Sequence, residues 1–314
     1  TTWSCAVTNL AQGINSITVT ATGPDARTVT AGTSISYYVL SISNVAASTN
    51  TINTFASGSV AIFFTLNGPA TATLKIVPEK DGSSGTPIYQ ATQTCPAAGA
   101  YLFTWNGRNS AGTVVPDEAY LYILEAADGV TTVTYSPAPP TGSAVSCTQE
   151  SSYNPYTNDP LSITYSLSQP ARIDISIAWP PDPFNIMTST PHIPGSYTFD
   201  WDGRDTAGNI LGGGGKAYCY TASLLSENYI ITTGDTPKVN QLRTDPYQAD
   251  LSYGVFTKIK YSLSRDANVT VRLKSPSGST ISIVDSQAQT AGSHEIEWNG
   301  LDAADSTGKK LLIS

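Results

Sequence analysis

Apolar residues fall on every second position through most of this chain, in short runs broken by Gly, Pro, Asn and Asp. The clearest runs are Ile62-Phe-Phe64-Thr-Leu66, Ile163-Thr-Tyr165-Ser-Leu167 and Ile259-Lys-Tyr261-Ser-Leu263. A period of two marks a strand with one buried face. A turn follows each run, at Gly68-Pro69-Ala70, Gln169-Pro170-Ala171 and Arg265-Asp266-Ala267. A second alternating run comes next: Leu74-Lys-Ile76, Ile173-Asp-Ile175-Ser-Ile177 and Val269-Thr-Val271-Arg-Leu273. No long segment carries the helical period with caps.

A third run ends each time in tryptophan. It reads Tyr101-Leu-Phe103-Thr-Trp105, Tyr197-Thr-Phe199-Asp-Trp201 and His294-Glu-Ile296-Glu-Trp298. Alternation puts each ring on the face of the preceding apolar residues, so Trp105, Trp201 and Trp298 are predicted core anchors. Asn106-Gly107, Asp202-Gly203 and Asn299-Gly300 follow at once. Such dipeptides favour tight turns with positive φ, so Gly107, Gly203 and Gly300 are predicted turn residues. Closing strands are predicted at Tyr120-Leu-Tyr122-Ile-Leu124 and Tyr218-Cys-Tyr220-Thr-Ala222.

The period of roughly 100 residues predicts one small β domain copied in tandem. The expected fold is all-β, an elongated array of tandem Ig-like β-sandwiches. The boundaries read as 1–30 for the last strands of a preceding domain, then 31–137, 141–235 and 236–314. The third copy is expected to lack its closing strand. Ser136-Pro-Ala-Pro-Pro140 reads as a stiff linker, and Gly234-Asp-Thr-Pro237 marks the next boundary.

Charge narrows the function. Among 314 residues, 16 are Lys or Arg and 24 are Asp or Glu, for a formal net charge of −8. That balance opposes nucleic-acid binding and docking on an acidic membrane. No apolar run approaches the roughly 20 residues of a membrane helix.

The Trp-centred motif resembles the C-terminal Ig-like domain of flagellar hook-capping proteins (FlgD-type). Trp201-Asp-Gly-Arg-Asp205 with Gly208 carries the resemblance most closely, followed by Trp105-Asn-Gly-Arg-Asn109 with Gly112, Pro116 and Tyr120. The third copy departs, with Leu301 in place of the arginine. The resemblance spans roughly residues 31–314. It implies a spacer domain of secreted or surface bacterial proteins, including sorting modules of extracellular enzymes, and specifies no activity.

The four cysteines, Cys5, Cys95, Cys147 and Cys219, form no CxxC pair, which removes zinc ribbons and dithiol redox motifs. Cys147 precedes the expected first strand of the second copy and Cys219 lies in its last; first and last strands of a sandwich can be neighbours, so these two are the preferred disulfide. Cys5 and Cys95 are the second candidate pair. Disulfides favour an extracellular location.

Candidate chemistry is sparse. His192 and His294 stand alone, and no Ser/His/Asp or Cys/His arrangement repeats, so no catalytic residues are assigned. Asp202, Asp205 and Asn209 offer oxygens for a hard cation, but turn formation explains them better, and no metal or cofactor is assigned. Trp179, Phe184, Tyr153 and Tyr156 are candidate binding aromatics for a sugar or a protein surface. The expected function is a non-enzymatic extracellular stalk, structural or adhesive, with protein partners foremost and carbohydrate second. The alternatives are a self-assembling filament subunit, through strand donation, and an accessory region of a secreted hydrolase.

Overall fold

The computed structural model describes residues 10–137, 143–149, 153–154, 159–177, 184–205, 210–211, 217–234, 236–246, 248–250, 253–275 and 278–300, with 143–149 and 184 by backbone alone. The described residues are built of strands and turns, with a short 3-10 turn at Glu79–Asp81.

Strands β1 (Gly13–Thr22) and β2 (Thr28–Tyr37) form an antiparallel hairpin. The register places Ile17, Val19, Val29, Ile35 and Tyr37 on one face, and all five are exposed. The second strand crosses the boundary expected at residue 30, and residues 1–9 lie outside the described ones.

The first repeat contains β3 (Ile42–Ala47), β4 (Thr51–Asn53), β5 (Val60–Leu66), β6 (Ala70–Pro78), β7 (Tyr89–Cys95), β8 (Gly99–Trp105), β9 (Ala119–Ala127) and β10 (Thr132–Tyr135). One sheet has the order β3-β5-β8, and the opposite sheet includes β7, β6 and β9, with β10 on β9. Alternation decides what is buried: Val60, Ile62, Phe64 and Leu66 of β5 meet Leu74 and Ile76 of β6 and Trp105 in one core. Phe64 stacks on Phe103 with ring centroids 5.6 Å apart.

The second repeat contains β11 (Ser143–Gln149), β12 (Leu161–Leu167), β13 (Ala171–Ile177), β14 (Phe184–His192), β15 (Gly195–Trp201) and β16 (Ala217–Leu224). Its sheets are β11-β16-β13-β14 and β12-β15, closed over Ile163, Ile173, Ile175, Ile177 and Trp201.

The next strand, β17 (Tyr229–Thr233), does not stay with the second repeat. It inserts into the first, in the order β4-β17-β9, parallel to β4 and antiparallel to β9. The boundary expected at 235 assigns this segment to the second repeat, and the hydrogen-bond ladder assigns it to the first. In the second repeat, β11 covers the whole outer edge of β16, from Ser143↔Ser223 to Gln149↔Ala217. In the first, the same edge of β9 is shared: β10 covers Leu124–Ala127 and β17 covers Ala119–Leu121. The second repeat is thus an insertion between two strands of the first repeat.

The third repeat contains β18 (Val239–Asp245), β19 (Thr257–Leu263), β20 (Ala267–Lys274), β21 (Thr280–Gln289) and β22 (Gly292–Trp298). Its sheets are β18-β19-β22 and β20-β21, around Ile259, Tyr261, Leu263 and Trp298. The expectation about its closing strand falls on residues 301–314, outside the described ones.

Candidate functional site

The tryptophan turns are built alike in the first two repeats. Trp105 and Trp201 are 1% and 4% exposed, so each indole N–H needs a buried partner. Each finds the carbonyl three residues on: Trp105 Nε1 donates to Arg108 O and Trp201 Nε1 to Arg204 O, both at 2.8 Å. The glycine between makes this return feasible, with φ of 71° at Gly107, 81° at Gly203 and 86° at Gly300. The chain then doubles back, pairing Arg108 with Val114 and Arg204 with Ile210. Trp298 is 7% exposed in the third core.

Polar side chains around these turns hold the turns themselves. Asn109 Oδ1 accepts from the amides of Ala111 and Thr113, and Arg108 Nη1 donates to Gly112 O. Arg204 Nε lies 3.6 Å from Asp202 Oδ2 at an exposed site. Of the cation-site candidates, Asn209 lies outside the described residues.

His294 replaces a tyrosine without changing its role. Tyr101 and Tyr197 donate their hydroxyls to Ala97 O and Ile193 O, each at 2.7 Å. His294 Nε2 reaches Thr290 O at 2.8 Å, again four residues back. The carbonyl accepts, so the proton sits on Nε2. His192 spans two partners: Nδ1 lies 3.0 Å from Thr190 O, and Nε2 lies 3.3 Å from the Tyr165 hydroxyl. Burial pulls the His192 imidazole below its ordinary value and pushes the Tyr165 hydroxyl up to about 12.

Two expectations are corrected. Tyr153 is no surface aromatic: it is 2% exposed and packs on Trp201 at a centroid distance of 5.2 Å. Its ring is part of the second repeat's core. Cys95 is not in a disulfide. It is a free thiol buried among the first repeat's core residues, and burial raises its pKa. Cys219 is disulfide-bonded, and the backbone register sets Cys147 directly opposite it. Cys5, Trp179 and Tyr156 lie outside the described residues, and Phe184 is described by backbone alone, at the start of β14.

The side chains that converge across the structure lie at the seam between the first two repeats. Arg172, on β13, is 8% exposed. Its Nε donates to Glu79 Oε2 at 2.5 Å and its Nη1 to Glu118 Oε1 at 2.8 Å. Burial works against the guanidinium's charge, and the two carboxylates more than offset it, so its pKa is raised. Beside this bridge, Val77, Ala119, Leu121 and Ile123 pack on Leu225, Tyr229 and Ile231. Strand β9 therefore buries both faces, which explains its apolar run from Ala119 to Leu124. Asn228 and Thr232, both buried, close the remaining backbone groups. Thr232 Oγ1 donates to Pro116 O at 2.7 Å and accepts from Glu118 N at 3.1 Å.

Open grooves lie among the described residues at two places. One, of about 390 Å³, lies beside the first tryptophan turn against Tyr89, Gln90, Thr104 and Asn106. The other, of about 200 Å³, lies where Phe55 and Asp117 of the first repeat meet Lys238 and Arg265. Among the described residues, no group of three or more His, Cys, Asp or Glu side chains is arranged to hold a metal, and no helix is long and apolar enough to cross a membrane.

No protein-family model matches the chain, and no curated protein matches it. Solved structures similar to it include the tetra-tandem repeat in the extending region of a large adhesion protein. That likeness has 15% identity, covers 94% of this chain and 75% of that one, and has a TM-score of 0.27. Another is Salmonella alpha-2-macroglobulin reacted with methylamine, with 12% identity, 93% and 23% coverage, and a TM-score of 0.21. The all-β sandwich architecture rests on the sheets described above.

Proposed function

We propose that this chain is a non-catalytic structural or adhesive stalk of the bacterial cell surface, built from Ig-like repeats of the hook-capping type. One observation carries the reading: the strand that follows the second repeat is built into the first repeat's sheet. Strand β17 and the Arg172 bridge to Glu79 and Glu118 join the two sandwiches through a buried seam, which suits a part that must hold its form. The disulfide at Cys219 fits an oxidising, extracellular setting. Interactions with other proteins, and with carbohydrate second, suit such a stalk. Labelling intact cells with an antibody to this chain tests the reading. Surface signal that disappears on protease shaving supports it, and signal found only after permeabilisation overturns it.

A second reading, a self-assembling filament subunit, draws on the β1–β2 hairpin. A two-stranded hairpin is marginal alone, and this one presents an apolar face with Val19 56% and Val29 69% exposed. A second copy covering that face would bury it. Sedimentation of the pure chain across concentration separates the two: growing species favour the filament, and a constant monomer favours the stalk.

A further inference from the structure

We infer that the β4–β17 pair is a load-bearing clamp, and that the second repeat is a side module held outside the line of tension. This deepens the stalk reading and rests on it for its purpose, though not for its geometry.

The chain enters β4 at its N-terminal end and leaves β17 at its C-terminal end. The two strands are parallel, Ile231 opposite Thr51 and Thr233 opposite Asn53, so those two ends lie at opposite ends of the ladder. Tension along the chain therefore shears the pair and loads its bonds together. Antiparallel strands joined by a turn would instead unzip one bond at a time. The bonds that share the load are Ile231 N–H to Asn50 O and Thr54 N–H to Thr233 O, each at 2.8 Å. The Thr54 hydroxyl to Thr233 O at 3.1 Å and the Asn50 side-chain amide to Tyr229 O at 3.1 Å add to them. On its other edge β17 is tied to β9, with Thr232 N–H on Glu118 O at 2.9 Å.

The connections of the second repeat complete the argument. It is entered from β10, which lies on β9, and left into β17, which lies on β9 and β4. Both attachments are to the first repeat, so force crossing the first repeat bypasses the second while β17 holds. The third repeat takes up the load at the same point. Arg265 donates to Gly234 O and lies over the Phe55 ring, 4.7 Å from its centroid, and Phe55 follows β4 by two residues.

Single-molecule pulling on the full chain, with handles at its two ends and in reducing buffer, tests this. A Gly/Ser insertion of known length within the glycine run at 212–215 lengthens the second repeat's release alone and so marks it. That release, from residues 143–224, is on the order of 30 nm at about 3.6 Å per residue. In the expected result, the marked release always follows rupture of the first repeat. Traces in which it comes first overturn the clamp. Thr54→Pro removes both Thr54 donors to Thr233 O, the amide and the hydroxyl, and is expected to lower the first repeat's rupture force by roughly twofold while leaving the marked release's force unchanged. An unchanged first force also overturns the proposal. The measurement uses isolated protein, so it stands apart from the surface-labelling result: a clamp in a protein absent from the surface refutes the stalk alone.

Discussion

Asn228 and Tyr122 exchange two hydrogen bonds across 106 residues of sequence. Tyr122 N–H donates to Asn228 O at 3.0 Å, and Asn228 Nδ2 donates to Tyr122 O at 2.6 Å. The pair fills the gap between β10 and β17 along the edge of β9. Without it, a backbone carbonyl at the centre of the seam has no strand opposite. Asn228 is fully buried. Asn228→Ala is expected to cost about 1–3 kcal/mol, the penalty of an unsatisfied buried acceptor. Chemical denaturation followed by Trp fluorescence measures it, and an unchanged midpoint counts against the seam.

The Arg172 bridge makes a graded prediction. Removing the guanidinium leaves Glu79 and Glu118 facing each other with little solvent, their side chains 14% and 21% exposed. Arg172→Ala is expected to destabilise by about 3–5 kcal/mol, whereas Arg172→Met combined with Glu79→Gln and Glu118→Gln recovers most of that loss. Thermal melts of the two variants decide it. Equal losses in both would mean that packing, and not charge, dominates the site.

Gly107 tests the tryptophan turn. A Cβ at this position would stand 2.6 Å from Thr54 Cγ2, and the backbone holds φ at 71°. Gly107→Ala is expected to cost about 1–3 kcal/mol from clash and left-handed strain together. Gly112, at φ 81° but with open space around it, is expected to lose less on the same change. The ratio of the two losses, read from urea midpoints, checks the close approach directly.

His192 gives the second repeat an acid-sensitive element. Its folded pKa is lowered, first by burial and further by Lys238, against the pull of the Thr190 carbonyl. The unfolded chain therefore binds this proton first, at a pKa of about 6.5. Its contribution to stability is complete above that value and is lost as pH falls through it towards the lower folded value. Protonation also turns Nε2 from acceptor to donor, against the Tyr165 hydroxyl. Melts between neutral and mildly acidic pH are expected to show a falling midpoint that His192→Gln flattens, and a slope surviving in the variant would assign it to other groups.

Cys219 is bonded, and the cross-strand position of Cys147 makes it the expected partner. Peptide mapping without reductant is expected to recover the two together, with Cys95 alkylated only after unfolding because it is buried. A Cys95-containing disulfide peptide would contradict this assignment.

Much of the fold was legible because alternation is a local signal. The runs at Ile62, Ile163 and Ile259 are β5, β12 and β19, and the tryptophans end β8, β15 and β22 as their spacing implied. The path of β17 was not legible. The ladder partners of Tyr229–Thr233 are β4 and β9, far back in the chain, and nothing local names them. The six-residue apolar run that opens β9, Ala119 to Leu124, was the available signal, since a strand with one wet face alternates. Arg172, set in an apolar strand, was a second. Tyr153 deceived because it stands outside the alternating runs, while its contact with Trp201 is made only in the packed structure.

Hydrogen exchange at the amides of Tyr122, Ile231 and Thr232 tests the central claim most directly, that a strand from beyond the second repeat completes the first. Each of these amides is bonded across the seam, to Asn228 O, Asn50 O and Glu118 O. The account predicts that all three are protected to the same degree as amides in the core strands β5 and β6, and open together with them. Exchange at loop-like rates for these three, with β5 and β6 still protected, would contradict it.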